Sequence, residues 1–130
     1  MYTPTYVQDY GMVITNNSFG SVVSDCVYSG FYDLTSRILD QQAIDLPELQ
    51  QVFAAGNDGG RTCSPYPFGF KTVLGGYQSS KNVLTVGSTN YKGDSSVFSS
   101  KGPVKDGRIK PEIMSQGQIV LSTWANNALY

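Results

Sequence analysis

Two polar, glycine-bearing clusters follow short apolar runs of the chain, and their residue types suit ligand binding. Residues 17–20 (NSFG) follow the run 11–15 (GMVIT), and residues 56–59 (GNDG) follow the run 51–55 (QVFAA). Carboxamide and hydroxyl groups donate hydrogen bonds, and glycine lets another backbone approach closely. These clusters are therefore the first places to look for chemistry.

The elements that would position these clusters form a strand–helix–strand pattern. The runs 11–15, 51–55 and 82–87 (NVLTVG) predict buried strands. A helix is predicted to begin after Asp33, which suits an N-cap, and to end at Leu46, because Pro47 disfavours helix at the residue before it. Its buried face would comprise Leu34, Ile38, Leu39, Ala43 and Ile44.

The rest of the chain is predicted to be mostly irregular. Residues 61–80 are rich in proline and glycine, residues 101–111 are rich in turn formers, and further extended segments are expected near 96–99 and 118–122. A strand, a helix and further strands predict an α/β fold with a parallel sheet. Ligands of such sheets bind at the carboxyl ends of the strands, where both polar clusters would lie.

Composition excludes several classes of function. The 130 residues are 40% hydrophobic and 15% charged with a net charge of -1, so neither nucleic acid nor an anionic membrane is an expected partner. No apolar stretch is long enough for a membrane helix, and the first residues do not resemble a signal peptide. A phosphate-binding glycine loop would need a helix directly after Gly60, where residues 63–67 (CSPYP) do not favour one.

The absence of histidine limits the catalytic chemistry that the chain can perform. Without it, no Ser-His-Asp triad can be completed within these 130 residues. The chain also has no G-x-S-x-G motif, which argues against an α/β-hydrolase.

Three ordered segments resemble the subtilisin-like serine endopeptidases, the subtilase family. These are residues 13–20 (VITNNSFG), residues 52–59 (VFAAGNDG), and a third stretch that runs from 82–87 (NVLTVG) through 98–103 (FSSKGP) to 106–113 (DGRIKPEI). Together they cover most of residues 11–123. Residues 115–117 (SQG) depart from the Ala-Pro-Gly that is common in the family.

The resemblance implies roles for individual residues. Asn57 would donate its side-chain amide to the oxyanion of the transition state, although Asn-Asp-Gly-Gly is also ordinary turn chemistry. Ser18, Phe19 and Gly20 would pair with an extended peptide, although Phe19 fits the core equally well. Ala54 and Ala55 would form a pocket wall, or else fill the core, and Gly20 and Gly56 would let the substrate backbone approach.

The resemblance also implies a fold, a cellular location and partners. It implies a partial subtilisin-like three-layer domain over residues 1–130, secreted or in the cell envelope, that acts on a peptide or protein. A disulfide between Cys26 and Cys63 would suit a secreted peptidase, with two free thiols as the alternative. No cofactor is expected; the family often holds calcium, but no ligand set can be assigned here.

The family's catalytic Asp and His blocks are expected before Val13, and its nucleophile block after Thr123. The chain alone would then be inactive, and the remainder of the peptidase domain would be a partner. The alternative is a binding or interaction module, derived from a subtilase, that keeps the peptide groove without the catalytic machinery.

Overall fold

A computed structural model describes residues 3–21 and 25–121. Over these residues the chain forms two α-helices, one 3₁₀-helix and four strands. In chain order they are α1 (Thr3–Tyr10), β1 (Ile14–Asn17), α2 (Leu34–Asp45), β2 (Gln50–Ala54), the 3₁₀-helix (Gly76–Ser79), β3 (Leu84–Thr89) and β4 (Ile113–Gln116). Neither α-helix of the described part has the length and apolarity needed to cross a bilayer.

The four strands form one parallel sheet in the order β1-β2-β3-β4. The predicted α/β fold with a parallel sheet is therefore confirmed. Asn17 pairs with Phe53 across β1 and β2, so these two strands end side by side at the same edge of the sheet. That edge carries both polar clusters.

Helix α2 begins and ends where the sequence predicts. The Asp33 side chain accepts a hydrogen bond from the Ser36 backbone N–H, and the Ser36 hydroxyl accepts one from the Asp33 N–H, which completes a capping box. At the other end, the Leu46 N–H donates to the Gln42 carbonyl, directly before Pro47.

The predicted buried face of α2 is largely wrong. Leu39 is 1% exposed and packs with Phe53 and Val83 in the core, but Leu34 is 70% and Ile44 68% exposed. Ile38 is also exposed, whereas the polar Ser36 and Asp40 are buried. The packed side of the helix therefore runs through Ser36, Leu39 and Asp40, because two polar side chains there find hydrogen-bond partners.

Asp40 fastens α2 to the start of β3. Its carboxylate accepts hydrogen bonds from the backbone N–H groups of Lys81 and Asn82, both at 2.8 Å. It also accepts from the Tyr32 hydroxyl at 2.6 Å, and this hydrogen bond raises the pKa of Tyr32 because it stabilises the protonated phenol. A buried carboxylate with three donors is a satisfied structural group.

The first strand differs from the prediction in position and in burial. Gly11, at φ +65°, ends α1 by donating its N–H to the Val7 carbonyl, so the run 11–15 begins as a helix terminus. Strand β1 starts only at Ile14, which is exposed at the edge of the described sheet. The strands predicted at 51–55 and 82–87 are confirmed with small shifts, as β2 and β3.

The extended segments predicted near 96–99 and 118–122 are not strands where described. Residues 97–98 form a turn, and residues 118–121 have no strand structure, while Ser122 lies outside the described residues. The fourth strand is instead β4, which lacks the apolar pattern of a buried strand. It is guided by polar contacts, because the Glu112 carboxylate accepts from the Thr85 N–H and pairs with Lys110.

Lys110 is buried, and its ammonium donates to the Val83 carbonyl at 3.0 Å beside Glu112. Burial lowers the pKa of Lys110, because desolvation disfavours the charged form, and the Glu112 carboxylate opposes this shift.

Candidate functional site

The carboxyl ends of β1 and β2 bring the two polar clusters together. Residues 18–21, here called the arm, continue from β1, and residues 55–58, the β2 turn, continue from β2. A cavity of about 200 Å³ lies between them, which we call the arm cavity. It is lined by Ser18, Phe19, Gly20, Ala54, Gly56, Asn57, Asp58 and Leu74.

A second cavity of about 280 Å³, the sheet cavity, lies beside the carboxyl ends of all four strands. It shares Ser18, Ala54, Gly56 and Asn57 with the arm cavity, and Ala55 joins its lining. Its further lining residues are Asn16, Val52, Phe53, Val86, Gly87, Ser88, Ser99, Ser115, Gln116 and Gly117. All seven residues singled out from the sequence, Asn57 included, therefore line one or both of these adjacent cavities.

The β2 turn is held by hydrogen bonds from three directions. The Ala55 N–H donates to Val86 on β3 at 2.9 Å, and the Ala55 carbonyl accepts from Leu74 at 3.2 Å. Ser100 bonds twice: its N–H donates to the Gly56 carbonyl, and its hydroxyl accepts from the Asp58 N–H, each at 3.0 Å. The backbone on both sides of Asn57 is thereby fixed.

The Asn57 side chain is not used in this framework. Asn57 is exposed, and its carboxamide makes no hydrogen bond within residues 3–21 and 25–121. A carboxamide N–H at the mouth of two cavities, on a fixed backbone, can donate to an oxygen atom of a bound ligand. The geometry suits a site that stabilises negative charge developing on that oxygen.

The protein's own side chains fill the space beside the glycines at positions 20 and 56. A Cβ atom on Gly56 would lie 2.6 Å from Leu74 Cγ and 2.9 Å from Ser100 Oγ, and Gly56 has φ +116°. A Cβ on Gly20 would lie 2.7 Å from both Gln78 Nε2 and Leu74 Cδ1. The expectation that these glycines leave room for a substrate backbone therefore has a competing explanation, because protein side chains fill the space.

The arm is supported from below by Gln78. This side chain is fully buried, and its amide donates to the Phe19 carbonyl at 2.8 Å. The Gln78 Oε1 atom is buried without a hydrogen-bond partner in the described part of the chain. The arm is thus bound to a buried amide group, and the oxygen of that amide accepts no hydrogen bond from the described residues.

Phe19, for which the sequence left two roles open, takes an intermediate position. Its ring packs edge-on against Phe53 at 5.8 Å and Tyr77 at 5.4 Å between centroids, yet the residue is 56% exposed. One side of the ring therefore extends the core, and the other remains available to solvent or a ligand.

Comparison with known proteins decides the family. The profile of the subtilase family, Peptidase_S8, matches residues 3–129, which is nearly the whole chain. The chain belongs to the subtilase family. The match includes all three segments in which the resemblance was found.

A solved structure of the prenylagaramide maturation protease PagA resembles this subtilase chain in fold. The two share 22% sequence identity with a TM-score of 0.53, over 76% of this chain and 30% of that protease. This chain therefore matches less than one third of the length of PagA, and the likeness is one of fold.

Three supporting residues of the candidate site escaped the sequence analysis. Ser100, Leu74 and Gln78 fix or fill the space around the β2 turn and the arm. Ser100 lies in the segment 98–103 that carried the resemblance, which could have drawn attention to it. Leu74 and Gln78 lie in the stretch predicted to be irregular, where no pattern indicated burial.

Charged groups near the site are few. Asp58 pairs with Arg61 at 3.6 Å on the surface. Within residues 3–21 and 25–121, no group of three or more His, Cys, Asp or Glu residues is placed to hold a metal ion.

The two cysteines of this subtilase chain are joined in a disulfide, with their Cα atoms 5.5 Å apart. The bridge connects the loop after the arm to the loop after the β2 turn. Of the two alternatives left open by the sequence, the structure contains the bridged one.

Proposed function

We propose that this chain supplies the oxyanion-hole asparagine and part of the peptide groove of a subtilisin-like serine endopeptidase. The proposal rests above all on one observation: the Asn57 carboxamide, on a fixed turn, lines the same cavity as the arm and has no partner among the described residues. Membership of the subtilase family supplies the reaction class.

Cleavage of a peptide bond through an acyl-enzyme places negative charge on the former carbonyl oxygen. A fixed donor aimed at that oxygen stabilises the transition state more than the ground state, which raises kcat. Asn57 suits this role because its amide carries no charge of its own and its backbone neighbours are held by Ser100 and Leu74.

The arm would hold the substrate. Ser18, Phe19 and Gly20 would offer backbone groups to an extended peptide, which would add as a strand beside the arm. The small side chains of Ala54 and Ala55 would form a wall for the side chain that precedes the cleaved bond. The peptide or protein substrate would thus be bound mainly through its main chain.

The catalytic triad would come from the remainder of the peptidase domain, because this chain has no histidine. Secretion or attachment to the cell envelope agrees with the family and with the disulfide, since disulfides persist in oxidising compartments.

The direct test replaces Asn57 in the full-length protease. Asn57→Ala is expected to lower kcat by about 10²–10³, which is the cost of removing this donor in subtilisin itself. We expect little change in KM, because the donor acts mainly in the transition state. Asn82→Ala is the matched control, because Asn82 is exposed and lies just before β3. It is therefore at the amino ends of the strands, whereas Asn57 is at their carboxyl ends. Equal activity of the two variants would refute the assignment.

The chain alone is expected to show no proteolysis. A fluorogenic peptide assay on the purified 130 residues measures this, and turnover that a serine-directed covalent inhibitor abolishes would contradict it. A full-length protein that binds peptides but never cleaves them would favour the alternative, a binding module derived from a subtilase.

A further inference from the structure

A cleft of about 290 Å³ lies apart from the arm cavity and contains the disulfide. Both cysteines line it, together with Val27, Ser64, Lys71 and Lys105. None of these six residues lines the arm cavity or the sheet cavity. The lining of the cleft therefore combines a disulfide with two lysine residues.

The two lysines are cations without acidic partners. The Lys71 ammonium lies 5.1 Å from the centre of the Tyr66 ring, and that of Lys105 lies 4.8 Å from the Phe31 ring. Neither forms an ion pair within residues 3–21 and 25–121. Their positive charges are thus available to an anion that enters the cleft.

Two carboxylates adjoin the cleft residues in sequence, and neither lines the cleft. Asp106, next to Lys105 in sequence, pairs with Arg108. Asp25, next to Cys26, accepts a hydrogen bond from the Val27 N–H at 2.9 Å. The cleft lining itself contains no acidic residue, so it has a net positive charge.

The two cysteines differ in how much of each residue is exposed to solvent. Cys26 is partly exposed, whereas Cys63 is 1% exposed. A nucleophile from solvent would therefore reach Cys26 more readily than Cys63.

We propose that this cleft is a thiol-exchange site that takes a small thiol bearing carboxylate groups. The carboxylates would lie against Lys71 and Lys105, while the thiol faces the disulfide. Positive charge near a disulfide favours attack by a thiolate and stabilises the thiolate that leaves.

The exchange is balanced without any further reactant. The incoming thiolate attacks Sγ of Cys26, a new S–S bond forms, and the bond to Cys63 breaks. Cys63 leaves as a thiolate, which takes a proton from water. The reverse attack by Cys63 restores the original bridge and releases the small thiol.

Opening of the bridge would act on the arm. The arm has one anchor in the Gln78 amide, and a few residues further along the chain the disulfide ties Cys26 to the loop after β2. The opened chain is expected to show faster amide hydrogen exchange at residues 19–21. Any effect of a loosened arm on peptide binding rests on the proposed function. The thiol–disulfide exchange itself does not depend on that function.

The test compares two thiols on the full-length protein, in which thiol exchange at the Cys26–Cys63 bridge is followed by peptide mapping. Glutathione carries two carboxylates, whereas cysteamine carries a positive charge. For each thiol, the second-order rate constant for opening the bridge is divided by the fraction of that thiol present as thiolate. The ratio of the glutathione value to the cysteamine value is measured on the folded protein in buffer and again on the protein unfolded in urea. We expect the ratio in the folded protein to be about five-fold higher, from the attraction of two nearby charges in a hydrated site. Peptide mapping by mass spectrometry should find the glutathione adduct on Cys26.

The double variant Lys71→Gln/Lys105→Gln should abolish this preference, and so should high salt. Lys92→Gln, which removes an exposed lysine outside the cleft, should leave it intact. An equal ratio in folded and unfolded protein, or an adduct on Cys63, would overturn the proposal. Peptide hydrolysis is not measured, so this outcome is independent of the protease assignment.

Discussion

The two walls of the arm cavity are built to different degrees of rigidity. The β2 turn is held by hydrogen bonds to β3, to Leu74 and twice to Ser100. The arm depends on one side-chain hydrogen bond from Gln78 and on the packing of the Phe19 ring. A donor that stabilises a transition state must be fixed beforehand, whereas a strand that pairs with varied peptides benefits from adjustment.

The largest expected effect is on the free energy of unfolding, when alanine replaces one glycine in each of the two walls. Gly56→Ala should lower the free energy of unfolding by about 2–6 kcal/mol, because it adds backbone strain at φ +116° and overlap with Leu74 and Ser100. Gly20→Ala should cost only about 1 kcal/mol, because the Gln78 and Leu74 side-chain ends that it meets can move. Chemical denaturation of both variants measures the difference, and equal losses would break the comparison.

A smaller effect is expected from the side chain that fixes the β2 turn. Ser100→Ala leaves the Asp58 N–H without its acceptor and should cost about 1–3 kcal/mol. Ser95→Ala is the matched control, since Ser95 is exposed, and it should change stability by at most about 0.5 kcal/mol. In the full-length protease, Ser100→Ala should also lower kcat; an unchanged kcat would mean that Asn57 is positioned without Ser100.

The smallest effect on stability is expected beneath the arm. Gln78→Leu loses the bond to the Phe19 carbonyl but also removes a buried acceptor that has no partner, so the net change should stay below about 1 kcal/mol. The arm itself should loosen, which faster amide hydrogen exchange at residues 19–21 would report. Gln41→Leu, an exposed glutamine, is the control, and the same exchange rates in both variants would argue against Gln78 as the anchor of the arm.

The sequence predicted the parts of this molecule that are governed by local rules. Asp33 and Pro47 determine where α2 begins and ends, and apolar runs followed by polar residues mark β2 and β3. Because parallel neighbours end at the same edge of a sheet, the proximity of the arm and the β2 turn followed from these elements.

Long-range packing explains what the sequence did not predict. Strand β4 is aligned by Glu112 and Lys110 instead of by its own apolar residues, and α2 packs through Ser36 and Asp40 while Leu34 is exposed. These long-range contacts join residues that are 27 to 43 positions apart in the chain, such as Glu112 with Thr85 and Ser36 with Ser79. Periodicity within a single element carries no information about such partners.

The most direct test of the central claim is a crystal structure of the full-length protease with a covalently bound peptide aldehyde. The account predicts that Asn57 Nδ2 lies about 2.7–3.1 Å from the oxyanion oxygen. It also predicts that the peptide backbone pairs with the arm at residues 18–20. An Asn57 amide that points away from the bound oxygen, or a peptide that lies outside the arm cavity, would contradict it.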